Sequence, residues 1–219
     1  MSEVPGAFPA AELQPPVRVL AVCWDLGGVL LRTVNWSKRH AWEARLGLRP
    51  GSLEQRIFDG EVGRRAMVGQ ATAADVWGDL ARSLGLSAPD RDRLAADFFS
   101  GDRLDPVLME YIAALRVRVR TGLISNAWAG IRQVMGNGGG EATFHELVIS
   151  AEVGLAKPDP AIFRLALARL NVPAAAALFV DDIPANLEGA RAVGMRPILF
   201  SGTPRTIEAV NRALAAHRP

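Results

Sequence analysis

Four places in the chain put a polar or charged side chain where an apolar run ends. Asp25 closes the run from Val17 to Trp24 and is followed by Leu26, Gly27 and Gly28. Ser125 and Asn126 follow TGLI, Lys157 sits in GLAKPDP, and Asp181 with Asp182 follows LFV. One carboxylate can act as a nucleophile, two more can hold a hard cation through oxygen, and a hydroxyl, an amide and an ammonium can hold an anion. That set suits phosphoryl transfer, which needs positioning and charge neutralisation more than covalent machinery. Taken singly, each feature has an ordinary reading: Asp25 as a turn residue, Ser125 and Asn126 as a helix N-cap, Lys157 as a solvated loop lysine. Asp181 and Asp182 resist it, because adjacent charges at the end of an apolar strand repel unless a cation lies between them. Lys38 and Lys157 are the only lysines among 25 basic residues, which suggests a compact ammonium where lysine is kept.

These residues meet only if the strands that carry them are parallel neighbours ending on one edge, the place where open α/β sheets hold ligands. The pattern supports this. Val17 to Trp24, Thr121 to Ser125, Leu147 to Ser150, Ala177 to Val180 and Pro197 to Phe200 are short apolar runs without alternation, as expected of strands covered on both faces. Helical segments with recognisable ends lie between them: Asp159-Pro160 opens AIFRLALARL, Gly194 stops NLEGARAV, and Thr203-Pro204 opens the last helix. The fold expected is α/β, a doubly wound parallel-sheet core formed by residues 17–33 and 106–219. Residues 34–105 show helical periodicity and no convincing strand, and read as a helical cap inserted after the first strand, over its carboxyl edge. Residues 1–16 read as a flexible tail, and GNGGG (Gly136 to Gly140) as a flexible surface loop.

Composition narrows the classes. With 219 residues, 49% hydrophobic and 22% charged, the chain can bury a full core plus a small insertion. It has no apolar run long enough for a membrane span, and its first residues, rich in proline with Glu3 and Glu12, do not read as a signal peptide. A single cysteine, Cys23, falls inside the first apolar run, which suits a core residue in a reducing cytoplasm. Net charge is only +2 and the arginines are scattered. The densest group, Arg116, Arg118 and Arg120, reads as the end of a helix feeding a strand, so neither nucleic acid nor membrane is the expected partner.

WDLGGVLL, LISNAW, GLAKPDPAIF and LFVDDIPANLEGARAVGM stand in the order and approximate spacing of four motifs of the haloacid dehalogenase superfamily. From residue 17 onward the chain resembles that family's Rossmann-like hydrolases. It looks most like the phosphatases with a small helical cap, near sugar-phosphate phosphatases and the N-terminal phosphatase domain of soluble epoxide hydrolases. The resemblance implies that Asp25 forms an aspartyl-phosphate, that Ser125 and Asn126 bind the phosphoryl group, and that Lys157 neutralises charge between Asp25 and the phosphate. It also implies Mg²⁺ bound by Asp25, the backbone carbonyl of Gly27 and Asp182, with Asp181 adding a ligand or orienting one. The implied substrate is a small phosphorylated metabolite. Asn186 reads as a first-turn helix residue that orders the acidic loop. Trp36, His40 and Trp42 read as cap packing residues with specificity as the other reading, and Trp128 as a wall of the pocket.

Gly27 departs from the family pattern. In the usual phosphatase form this position is a second Asp, which protonates the leaving oxygen and later activates water, a contribution typically worth about 10² to 10⁴ in rate. Three readings follow. The protein is a phosphatase whose leaving group needs little protonation or whose acid comes from elsewhere, a dehalogenase, whose halide leaves unprotonated, or a binding or regulatory protein on the same fold. The acidic pair favours phosphate, because the dehalogenase branch dispenses with Mg²⁺. That branch also carries Tyr-Gly-Thr where this chain has Gly-Gly-Val.

Overall fold

The computed structural model describes residues 17–136 and 140–216, so the expectations for residues 1–16 and 137–139 fall outside it. Strand β1 (Ala21–Trp24) leads through a tight turn into β2 (Leu31–Thr33). Five helices follow, α1 (Ser37–Arg45), α2 (Ser52–Phe58), α3 (Glu61–Met67), α4 (Ala73–Leu84) and α5 (Ala88–Phe98), before β3 (Asp102–Leu104) and α6 (Pro106–Leu115). The rest alternates: β4 (Arg120–Ser125), α7 (Ile131–Gly136), β5 (Glu146–Ile149), α8 (Ser150–Val153), α9 (Pro160–Leu170), β6 (Ala177–Asp181), α10 (Pro184–Ala192), β7 (Arg196–Leu199) and α11 (Thr203–Ala215). All five expected strands are present. They form one parallel sheet in the order β5-β4-β1-β6-β7, which puts β1 at the centre between β4 and β6.

Strand pleating splits the apolar residues into two cores. Val22, Trp24, Leu123, Leu178 and Val180 face a layer with Leu108 and Ile112 of α6 and Val210 of α11. The alternate residues Ala21, Cys23, Ile124 and Phe179 face Ile162 and Phe163 of α9 and Leu187 of α10. Both faces are therefore covered, which is why these strands read as continuous apolar runs. Cys23 is fully buried, and burial pushes its thiol up to about 12, so it is a packing residue rather than a nucleophile. Asp159 caps α9 by accepting from Ala161 N–H (2.8 Å), and the Arg116–Arg120 stretch joins the end of α6 to β4 as expected. Of the glycine run, Gly136 ends α7, while Gly140 is buried in a 3-10 turn against Met109. Among the described residues no helix is long and apolar enough to cross a membrane.

The segment from 34 to 105 needs one correction. It is mainly helical, but β3 lies within it and pairs antiparallel with β2, matching Leu31 to Leu104 and Thr33 to Asp102. The two three-residue strands, LRT and DRL, are too short and too polar to show a period, so only the pairing reveals them. They form a ribbon through which the chain enters and leaves the helical cap. The cap has its own core of Trp42, Leu53, Ile57, Trp77, Leu94 and Phe98. Arg39, buried despite its charge, ties cap to ribbon: it donates to the Phe98 carbonyl (2.7 Å) and to both oxygens of Asp102 (2.8 and 3.1 Å). The cap also touches the carboxyl edge of the sheet at Gly69, where a Cβ would stand 2.3 Å from the Ala151 carbonyl oxygen of α8.

Asp105, where the chain re-enters the core, supplies a testable pH dependence. Its carboxylate caps α6 by accepting from Val107 and Leu108 N–H (3.0 Å each), and it also pairs with Arg32 and the Thr203 hydroxyl. Burial by itself would raise its pKa, but the Thr203 and backbone hydrogen bonds and Arg32 outweigh it and hold the carboxyl below its ordinary value. The contribution is therefore complete above the unfolded pKa, about 3.9, and is lost as pH falls through the lower folded value. Thermal melts between pH 5 and pH 3 should show a smaller acid-induced fall in Tm for Asp105→Asn than for the wild type. Equal falls would mean that Asp105 carries none of this pH dependence.

Candidate active site

Asp25 is the first residue beyond β1, and its N–H donates to Val180 of β6 (2.9 Å), so its position is set by the sheet. Its side chain is only 7% exposed. Oδ1 accepts from Leu26 N–H (2.7 Å) and lies 2.6 Å from Lys157 Nζ. The chain then reverses, with Leu30 and Leu31 N–H both donating to the Leu26 carbonyl and Gly28 N–H to that of Leu31. Gly28 supports this turn with φ +76°, a region that costs other residues free energy. It also allows a close approach, because a Cβ there would stand 2.1 Å from Asp182 Oδ2. Gly27 meets no such constraint.

Lys157 is brought in by the loop before α9 and is buried to the tip. Its ammonium bridges Asp25 and Asp181, standing 2.8 Å from Asp181 Oδ2, over the ring of Phe179. Asn126 fixes it there: Asn126 Nδ2 donates to the Lys157 carbonyl and Lys157 N–H donates to Asn126 Oδ1, both at 2.8 Å. The side-chain amide of Asn126 is thus spent on the lysine loop. Ser125, also buried, ends β4 beside it. Ser150, which sequence reasoning did not single out, holds the following turn: its hydroxyl accepts from Ala127 N–H (3.0 Å) and donates to the Ala127 carbonyl (3.2 Å). The only hint of this was its place at the end of an apolar run, like Ser125.

The acidic pair divides its work. Asp181 is fully buried and accepts from Lys157, Ile183 N–H (2.7 Å) and Asn186 Nδ2 (3.1 and 3.2 Å). Asn186 thus orders the acidic loop from the first turn of α10, as expected. Asp182 lies on the solvent side. Asp25, Asp181 and Asp182 each offer an oxygen within 4.8 Å of the others. Burial, opposed by Lys157 and reinforced by Asp181, raises Asp25 to about 6, and burial with Asp181 raises Asp182. Three carboxylates against one ammonium leave a cluster two positive charges short, and its donors are all oxygen, which fits a hard divalent cation.

The chain matches, over residues 19–194, the family model for haloacid dehalogenase-like hydrolases. The chain belongs to that family. This hydrolase is 29% identical over 210 residues to a protein named as a phosphatase from Mycobacterium tuberculosis, covering 90% of this chain and 94% of that one. It is 38% identical over 118 residues to a phosphoserine phosphatase of Thermus thermophilus, spanning 51% of this chain and 47%, about half, of that enzyme. Its fold matches a haloacid dehalogenase family enzyme of Bacteroides thetaiotaomicron solved with magnesium and inorganic phosphate (TM-score 0.70, 19% identity, 84% of this chain and 96% of that one).

The cap aromatics divide clearly. Trp42 is buried, and its Nε1 donates to Asp97 (3.0 Å), so it packs the cap. Trp36 is partly exposed and stacks on His40 at 5.9 Å. Trp128, a core residue, inserts among cap aromatics.

Proposed function

We propose that this hydrolase is a Mg²⁺-dependent phosphomonoesterase of a small phosphorylated metabolite, acting through an aspartyl-phosphate at Asp25. The observation that carries this reading is the buried Lys157 ammonium shared by Asp25 and Asp181, with Asp182 alongside. Asp25 attacks phosphorus, the ester P–O bond breaks, and the electron pair leaves with the alcohol oxygen. The leaving oxygen takes a proton from solvent; water then attacks the same phosphorus and gives a proton back to solvent, the bond to Asp25 breaks, and phosphate departs as the carboxylate is restored. Lys157 screens the repulsion that a phosphate dianion would meet at Asp25. Ser125 binds the phosphoryl group; Asn126, with its side chain engaged by Lys157, has only its backbone for that task.

Asp25, Asp182 and the carbonyl of Gly27 would hold Mg²⁺, which supplies charge neutralisation for the phosphoryl oxygens. Asp181, its oxygens already accepting from Lys157, Ile183 and Asn186, orients the lysine and the loop instead. A carbon–halogen hydrolase would leave the excess negative charge of this cluster without a purpose. The substrate reaches the site without nucleic acid or membrane, and a single buried cysteine suits a reducing cytoplasm.

The test is phosphate release from phenyl phosphate with Mg²⁺, with EDTA, and by Asp25→Asn. EDTA and the substitution should each lower turnover by at least about 10³-fold, because each removes a participant in the reaction itself. Turnover that persists in Asp25→Asn would sink the aspartyl-phosphate. No turnover by the wild type, with Mg²⁺ bound, would favour a binding role.

A further inference from the structure

The densest basic group of the sequence, Arg116, Arg118 and Arg120, stands at the opposite edge of the sheet from the active site. Arg120 opens β4 and Ser125 closes it, so about 17 Å of strand lies between them at about 3.3 Å per residue. With His145, which precedes β5, the three arginines line an open groove of about 420 Å³, a size that suits a small ligand. Its remaining surface is largely apolar: Leu20 ahead of β1, Leu170 at the end of α9, Val172, and Val117, which is 88% exposed. Among the described residues no carboxylate lines it.

Arginines that follow a helix commonly hydrogen-bond its last carbonyls or pair with nearby acids. Among the described residues these three guanidinium groups do neither, whereas Arg132 of α7 is held by Glu141 (2.8 Å) and Glu152 (2.7 Å). Like charges gathered around one hollow repel, and an anion between them turns that cost into attraction. His145 adds a donor of fixed direction. Its Nδ1 accepts from Thr121 N–H (3.0 Å), so the proton of the neutral ring sits on Nε2, on the side turned away from Thr121. Burial, then Arg116 and Arg120, hold its pKa below the ordinary histidine value against the pull of Glu146, so near neutral pH the ring donates through Nε2 without carrying charge.

We propose that this groove is a binding site for a small phosphate-bearing anion, held by the guanidinium forks with the Nε2–H of His145 as a further donor and with any carbon skeleton lying on the apolar floor. A guanidinium presents paired N–H groups that match phosphate oxygens. A compact ligand is favoured over nucleic acid because the arginines converge on one hollow rather than forming a stripe, while the whole chain carries a net charge of only +2. The groove lies apart from Asp25 and does not rest on the phosphatase reading.

The probe is pyrophosphate, titrated calorimetrically in metal-free buffer, where the unneutralised carboxylates of the active site repel anions. The proteins are the wild type, the double variant Arg116→Gln with Arg120→Gln, and Ser125→Ala, the last to mark any binding at the catalytic edge. The wild type should bind one pyrophosphate, and the double substitution should weaken it at least about tenfold, the scale of charge-assisted hydrogen bonds lost. Ser125→Ala should bind as the wild type does. Both substituted arginines are exposed, so melting curves should show the fold retained. Absence of binding at millimolar pyrophosphate, affinity untouched by the arginine substitutions, or a loss in Ser125→Ala alone would overturn the proposal. Tighter binding of a short single-stranded oligonucleotide than of pyrophosphate, lost with the same arginines, would also overturn it by making the groove part of a nucleic-acid surface.

Discussion

Replacing Gly27 by aspartate is expected to raise kcat/KM for a simple alkyl phosphate by about 10²-fold, the lower end of what a positioned acid contributes. The two neighbouring glycines differ in what they do. Gly28 has φ +76°, and its missing Cβ makes room for Asp182, so the turn requires it. Gly27 is exposed, has no positive φ, and has open space where a side chain would begin. Nothing in the packing forbids an aspartate there, and the carbonyl offered to the cation is unchanged. Because an aryl leaving group gains little from protonation, the same substitution should change kcat/KM for phenyl phosphate by less than about tenfold. Parallel assays of ethyl and phenyl phosphate, with a melting curve to establish that Tm holds, separate the outcomes. A matched rise on both esters would mean that position 27 acts through something other than protonation, and no rise on either would mean that the leaving oxygen lies out of its reach.

Much of this site was legible because strand ends are local features. A continuous apolar run that stops at a polar or charged residue marks both a buried strand and its carboxyl end, and three such runs carry Asp25, Ser125 and the acidic pair. Lys157 carries a weaker local signal, since a lysine before a proline is common in solvated loops; its burial between two carboxylates depends on residues 24 to 132 positions away. The Asn126 bracket around the lysine backbone, the Ser150 anchor and the entry of Trp128 into the cap core are likewise contacts between segments far apart in sequence. The β2–β3 ribbon escaped for a different reason. Three residues of mixed polarity carry no period, and the ribbon exists only because α1 to α5 return the chain to its starting point.

Lys157→Met is expected to destabilise the protein by about 3–5 kcal/mol without Mg²⁺, the usual cost of removing one partner from a buried ion pair. Methionine fills nearly the same space, so the loss reports on charge rather than on a cavity. Asp25 and Asp181 would face each other and Asp182 with the ammonium gone, in surroundings where burial already disfavours the ionised form of Asp25. Phosphate release should fall by about 10² to 10³-fold, as when a preorganised donor is removed from a developing charge. A second readout separates this from plain unfolding. With a more negative cluster, Mg²⁺ should raise the Tm of Lys157→Met by more than it raises that of the wild type, since a ligand stabilises in proportion to how tightly the folded state binds it. An equal Mg²⁺ effect in both proteins would mean that lysine and cation do not sense the same carboxylates. Unchanged stability would mean that the three acids relieve their repulsion by protonation or by water, and that Lys157 serves the phosphate alone.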